Sequence, residues 1–372
     1  MQGEGLISIT DRLIHNFYKH ACFRCRLPLM RTASDPSAEQ IAKLQTTTTF
    51  SISNAFEQSF YKERPAFLPI EITEAYLWRL EDVFVTGAAA QPFTRNGRLF
   101  SVSYDVRNSG WQSIRRPIPA LARRIRTPLL HLSGSNHENR GHFICQFLPR
   151  LVVSLPFLKA NPQVKVLVAP AEKEWQAEYL RFFDIPTERM VECSFGTCHI
   201  DELFYPPMLH GDQFLSSPDY YKEIRDRVRV GIPAHREGSV IFITRNDAPD
   251  RRALNEDKFF EILKSHYPDA LRVALGNIVL HEQAAYFMGA KLIVGWAGQG
   301  SVYTLFAKGA TLISLSPSEA FHGWLNACNQ LSAISGGRGL WVDVVPRWEG
   351  KDFWGDTHEF ARVLESLDLS VF

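Results

Sequence analysis

Two short apolar runs end on residues suited to holding an anion. Val240-Ile241-Phe242-Ile243-Thr244 ends on Arg245, and Lys291-Leu292-Ile293-Val294-Gly295 empties into Trp296-Ala297-Gly298-Gln299-Gly300-Ser301. A planar guanidinium makes paired hydrogen bonds to phosphate or carboxylate. Glycines let backbone come close to an anion, and the free N–H groups at a helix start bind it. Ser301 can cap that helix or donate to a phosphate. Arg245, Gly298, Gln299, Gly300 and Ser301 therefore form a candidate site for a phosphorylated ligand. The same glycines also suit a tight strand-to-helix turn, and Arg245 suits a surface ion pair with Asp247 or Asp250. Downstream of Arg245, the run Arg251-Arg252-Ala253-Leu254-Asn255-Glu256 offers a second cation in Arg252 and a helix cap in Asn255. Glu282 and Gln283 open a further helix, where they can meet the ribose or base of a nucleotide or simply favour the helix start.

These groups need a scaffold of strands alternating with helices. The patterning predicts strands at Leu129–Ser133, Val164–Ala169, Met190–Cys193, Glu202–Phe204, Val240–Thr244, Leu271–Leu275, Lys291–Gly295 and Gly309–Ser314. Helical patterns fall at Gly141–Phe157, Glu172–Phe183, Asp219–Val230, from Asn255 to about Ser265, from His281, from Ser301 to Phe306, and at Thr357–Leu367. Such alternation implies parallel sheets with ligands at the C-terminal ends of their strands. Gly231-Ile232-Pro233 is the expected hinge between two α/β halves. Nearer the N-terminus, Leu6–Phe23 reads as a helix. Val83-Phe84-Val85, a turn at Asn96-Gly97, and Leu99–Tyr104 read as antiparallel strands.

The chain has 372 residues, 45% of them hydrophobic, enough for two cores. A net charge of +1 argues against a nucleic-acid partner. Arg115-Arg116 and Arg123-Arg124-x-Arg126 make a local basic cluster, suited to a solvated face or to an anionic acceptor or membrane surface. No run of about 18 apolar residues reads as a membrane span, and Leu6–Ile9 is too short for a signal-peptide core. The expected location is cytoplasmic, with peripheral contact at the inner membrane face as an option. The six cysteines are then reduced thiols. Cys22 and Cys25, with Cys193, Cys198 and His199, are too dispersed to be read as a zinc site. No metal and no other cofactor is expected.

A further block reads Asn139-Arg140-Gly141-His142-Phe143, then Phe147-Leu148-Pro149-Arg150-Leu151. Together with the strand-end Arg245, Arg252-x-Leu254-Asn255-Glu256, Glu282-Gln283, the Gly295–Gly300 loop and Phe306-Ala307-x-Gly309-Ala310, it resembles glycosyltransferase family 61 over about residues 80–330. The resemblance implies an α/β, GT-B-like fold with two Rossmann-like lobes, a central cleft and an N-terminal β-rich extension. On that reading residues 1–128 are the extension, 129–232 the acceptor lobe, 233–345 the donor lobe and 346–372 a C-terminal helix.

It further implies an inverting, metal-independent transfer from a nucleotide-diphosphate sugar, a UDP-sugar, to a glycan or polysaccharide acceptor, as in capsule assembly. His142 would be the base and Glu138 its understudy. Asn139 and Arg150 would face the acceptor, and Arg245, Arg252, Asn255, Glu282, Gln283, Gly298, Gln299, Gly300 and Ser301 the donor. Three positions depart from the family pattern: Ala297 replaces a histidine, and Gln146 and Ser314 replace acids. A catalytically degenerate protein that binds a nucleotide sugar or a glycan is the alternative they raise. A nicotinamide-dependent oxidoreductase fits poorly, because the glycine loop comes late and no acid ends the next strand.

Overall fold

The computed structural model describes residues 38–45, 48–50, 70–72, 74–86, 90–97, 100, 117–134, 139–168, 174–193, 196–209, 215–249, 251–276, 278–316, 322–344 and 346–367. The predicted helix over Leu6–Phe23 lies outside them, as do Glu138 and all but Phe100 of Leu99–Tyr104. The fold is mixed α/β with parallel strands, and the chain divides into two compact units. One comprises Met1–Thr46, Glu74–Phe143 and Arg150–Leu209. The other comprises Thr47–Thr73, Ile144–Pro149 and His210–Phe372.

The first unit holds one sheet built from β1 (Ala38–Gln45), β2 (Ala75–Thr86), β3 (Gln91–Phe93), β4 (Arg123–Ile125), β5 (Leu129–His131), β6 (Lys165–Val168), β7 (Met190–Glu192) and β8 (Thr197–Tyr205). Its order is β1-β2-β8-β5-β6-β7, with β3 on β2 and β4 on β8. Strands β8, β5, β6 and β7 run parallel, whereas β2 is antiparallel to both neighbours. This corrects the expected boundary at 128. Val83, Val85, Ile200 and Leu203 share one buried core, so β2 belongs to the α/β sheet rather than to a separate extension. Once both faces of a strand are half-covered, its apolar alternation no longer tells which module it joins.

Helix α1 runs from Arg140 to Ala160, and α2 from Glu174 to Arg181. By length and composition α1 could cross a membrane, but most of its apolar window is buried inside the protein, as in a core helix. Phe143–Phe147 form a π-helical turn within it. Pro149 has no N–H to offer the Cys145 carbonyl four residues back. The Tyr221 hydroxyl donates to that carbonyl at 2.8 Å.

The second unit is a five-stranded parallel sheet: β9 (Ser239–Ile243), β10 (Leu271–Val273), β11 (Ala290–Trp296), β12 (Thr311–Ser316) and β13 (Arg338–Asp343), in the order β10-β9-β11-β12-β13. Its helices are α3 (Pro218–Arg229), α4 (Glu256–His266), α5 (Leu280–Gly289), α6 (His322–Ile334) and α7 (His358–Ser366). A 3-10 helix covers Gln299–Phe306, and β14 (Pro346–Glu349) pairs with β15 (Asp352–Gly355) as a hairpin. Residues 48–50 and 70–72 form a second antiparallel pair.

The expected hinge at 231–233 is also corrected. Tyr221, Ile224 and Val228 of α3 are buried, and Arg229 donates to the Phe306 and Ala307 carbonyls, so α3 belongs to this unit. The Gly231 turn is an internal connection with φ of 76°. The C-terminal helix α7 packs in the same core: Phe360, Val363 and Leu364 cluster with Phe259, Trp296 and Phe353.

Candidate functional site

The second unit's sheet has a reversal in strand order between β9 and β11. The chain leaves β9 for β10 on one side and leaves β11 for β12 on the other. Loops at such a point part from each other, which opens a crevice beyond the strand ends. Thr244 and Arg245 follow β9, and Ala297–Gly300 follow β11, so the sequence-predicted anion groups converge there.

Contact between them is close. A Cβ built on Gly298 would collide with Arg245 Nη1, so glycine is required here for the space the guanidinium fills. Gly298 has extended backbone, with φ 172° and ψ 179°. Its carbonyl accepts from Trp324 Nε1 at 2.9 Å and from the Ser301 N–H at 3.2 Å, which fixes the loop. A Cβ on Gly300 would sit 3.1 Å from both Ile243 Cγ2 and Leu275 Cδ1, so this glycine serves packing beneath the loop.

Glu256 sets the backbone of Arg245. Its side chain is 2% exposed. Oε2 accepts from the Arg245 N–H at 2.9 Å, and Oε1 accepts from the Thr244 hydroxyl and from Arg272 Nη2. The carboxylate thus joins the ends of β9 and β10 to the first residue of α4. A buried carboxylate must be ion-paired or fully hydrogen-bonded, and Glu256 is both. Asp247 adds a second tie by accepting from the Gly276 N–H at 3.0 Å. In the sequence Glu256 is legible only as a helix-start residue. Its signal was an acid three residues before the fully buried Phe259, on the inward face of α4.

Four donor-side candidates make contacts within the fold. Asn255 does not cap α4: its amide exchanges bonds with the Gly355 backbone, donating to the carbonyl at 2.7 Å and accepting from the N–H at 2.9 Å. Arg252 forks onto Asp352 at 2.6 and 3.0 Å. This hydrogen-bonded guanidinium holds the Asp352 carboxyl below the usual aspartate range. Gln283 is fully buried, and its amide nitrogen donates to the Leu275 and Ile278 carbonyls. Ser301 is buried and donates to the Trp296 carbonyl at 3.3 Å. Glu282 and Gln299 are exposed and keep their candidacy.

In the first unit, the Asn139 side chain caps α1, accepting from Gly141 N at 2.9 Å and His142 N at 3.2 Å. The side-chain oxygen of Asn139 thus serves as a helix cap. His142 is half-buried in the first turn of α1. Arg150 is corrected outright. It is 0% exposed, and its guanidinium donates to the Pro206, Ser133 and His131 carbonyls and to His131 Nδ1. All that capacity is spent inside the fold, so Arg150 is a structural arginine. His131 is correspondingly held neutral. Burial first, then the Arg150 charge, push its pKa down to about 3.

The basic cluster is likewise partly engaged, with Arg124 forked on Asp201 and Arg123 donating to the Glu192 carbonyl. The departures Gln146 and Ser314 are both buried, so an acid at either place would need a buried partner.

Comparison with known proteins bears on this geometry. The glycosyltransferase 61 family model matches residues 141–313, which span both the α1 segment and the strand-end loops. The match supports membership of glycosyltransferase family 61 for this segment, and the chain is a glycosyltransferase. Among solved structures, the E. coli heptosyltransferase WaaC with ADP aligns at a TM-score of 0.37 and 12% identity, covering 65% of this chain and 98% of that one. No curated protein matches.

Proposed function

We propose that this glycosyltransferase moves a sugar, with inversion, from a nucleotide-diphosphate donor to a hydroxyl of a glycan or polysaccharide acceptor. A UDP-sugar is the proposed donor, and a two-lobed GT-B arrangement the proposed frame. The observation that carries this reading is the packing of the Arg245 guanidinium against Gly298 at the strand-order reversal. It gathers a fixed cation and the backbone of a helix start at one point, a combination that stabilises a departing diphosphate.

In this reading Arg245 and the first N–H groups of the 3-10 helix hold the diphosphate oxygens, and Glu282 and Gln299 reach the sugar or nucleoside. His142 takes the acceptor hydroxyl proton. A position in the first turn of a helix favours neutral imidazole, the form that a base needs.

The direct test is a thermal-shift screen across UDP-, GDP-, ADP- and CMP-sugars, followed by calorimetry on the best ligand. Saturable binding of one nucleotide-diphosphate sugar is expected. Stabilisation by none of them would overturn the donor-site reading.

A further inference from the structure

The first unit contains a thiol pair that glycosyl transfer does not use. Cys193 follows β7 and Cys198 lies near the start of β8. Both are 1% exposed and belong to the core cluster with Val85, Ile200 and Leu203. Cys193 Sγ donates to Cys198 Sγ across 2.7 Å. Two thiols seated that close in a packed core have their side chains aimed at one another, the arrangement that a cystine link requires. We propose that Cys193 and Cys198 are an oxidisable pair that closes to a disulfide and fastens the connection between β7 and β8.

The surroundings separate the two roles. Cys198 lies in register beside Arg123 of β4. The hydrogen bond from Cys193, and then the Arg123 charge, lower the Cys198 pKa, while the same bond and burial raise that of Cys193. With Cys193 donating to it and Arg123 beside it, Cys198 takes the part of the nucleophile, and Cys193 that of the resolving thiol. A peroxide is the matching oxidant, because it is small enough to reach a buried sulfur during local opening. The Cys198 thiolate attacks one peroxide oxygen. The O–O bond breaks and hydroxide leaves, taking a proton to become water. Cys193 sulfur then attacks the Cys198 sulfenic acid. The S–O bond breaks, and the hydroxyl leaves as a second water with the Cys193 proton. Two thiols are oxidised, and one peroxide is reduced to two waters.

The other described cysteines contrast with this pair. Cys145 and Cys328 are buried thiols with pKa values raised by burial. That makes them poor nucleophiles.

The test uses the full-length, reduced protein treated with hydrogen peroxide, unfolded in iodoacetamide and mapped by mass spectrometry. The expected product is a peptide with Cys193 linked to Cys198, two hydrogens lighter than the reduced form. The oxidised protein should also melt on the order of 5 °C higher than the reduced one, a difference that a short-loop cross-link supports. Cys198→Ser should abolish both the link and the redox difference in melting. If that variant folds poorly, Cys193→Ser serves the same comparison. Alkylation of both cysteines after peroxide, or over-oxidation of Cys198 to sulfinic acid with Cys193 still free, would overturn the proposal.

Discussion

Arg245 and Gly298 occupy one space: the guanidinium fills the volume that any side chain at 298 would need. Arginine and loop therefore act as a unit, and damage to either should reach the ligand. Arg245→Ala is expected to weaken nucleotide-diphosphate binding by about 2–4 kcal/mol, the range for a desolvated charge-assisted contact. Gly298→Ala keeps the cation but displaces it, so it should lose a comparable part of that affinity. Calorimetry on both variants decides the matter. Wild-type affinity in Arg245→Ala would remove the residue from the site.

Glu256 supports that pair from behind. Glu256→Gln keeps the shape, but its NH2 group would face either the Arg245 N–H or the Thr244 and Arg272 donors. Arg272 retains Asp257, which limits the loss. We expect about 2–3 kcal/mol of destabilisation by denaturant unfolding, together with a raised donor KM at full occupancy of the fold. Unchanged stability would mean that the carboxylate is better solvated than its burial implies.

Much of this scaffold was legible in the sequence because parallel strands buried on both faces appear as short apolar runs. The runs at 240–244 and 291–295 became β9 and β11, each within about one or two residues. Arg245 and the glycine loop were legible for the same reason, since they punctuate those runs. What stayed hidden depends on contacts distant in sequence. Asn255 reads as a cap until Gly355, 100 residues away, claims its amide. Arg150 reads as a functional cation until Pro206, Ser133 and His131 surround it. Strand β13 and the β14–β15 hairpin went unread because their alternation of polar and aromatic residues also fits loop.

The buried His131 makes a pH-dependent contribution to stability. Its folded pKa, about 3, lies below the ordinary value of 6.5. The unfolded chain therefore binds the extra proton between those values, and stability rises with pH across that window. The contribution is complete above about pH 6.5 and is lost as the solution is acidified toward pH 3. The slope from this one group approaches about 1.4 kcal/mol per pH unit. His131→Gln should flatten the profile of melting temperature against pH between 6.5 and 4, even if it lowers the midpoint at neutral pH. An unaltered slope would assign acid sensitivity elsewhere.

If Arg245 and helix N–H groups stabilise the leaving diphosphate, turnover should survive a chelator. Initial rates with and without excess EDTA are expected to agree within about twofold. Loss of activity, restored by manganese or magnesium, would replace the cationic side chain with a metal as the main stabiliser of the leaving group.

His142 provides the sharpest separation of binding from chemistry. It lies in the first turn of α1, with Asn139 capping the turn through the His142 and Gly141 N–H groups. General-base catalysis acts in the transition state, so its removal should lower kcat without changing donor affinity. His142→Ala is expected to cut turnover by about 10²- to 10⁴-fold while calorimetric donor affinity stays within error. His142→Gln should behave alike, since an amide cannot accept the proton. Asn139→Ala should lower stability by about 1 kcal/mol through loss of the cap and reduce turnover far less. If His142→Ala instead lowers the melting temperature and leaves turnover intact, the histidine is a helix-start residue and the base lies elsewhere.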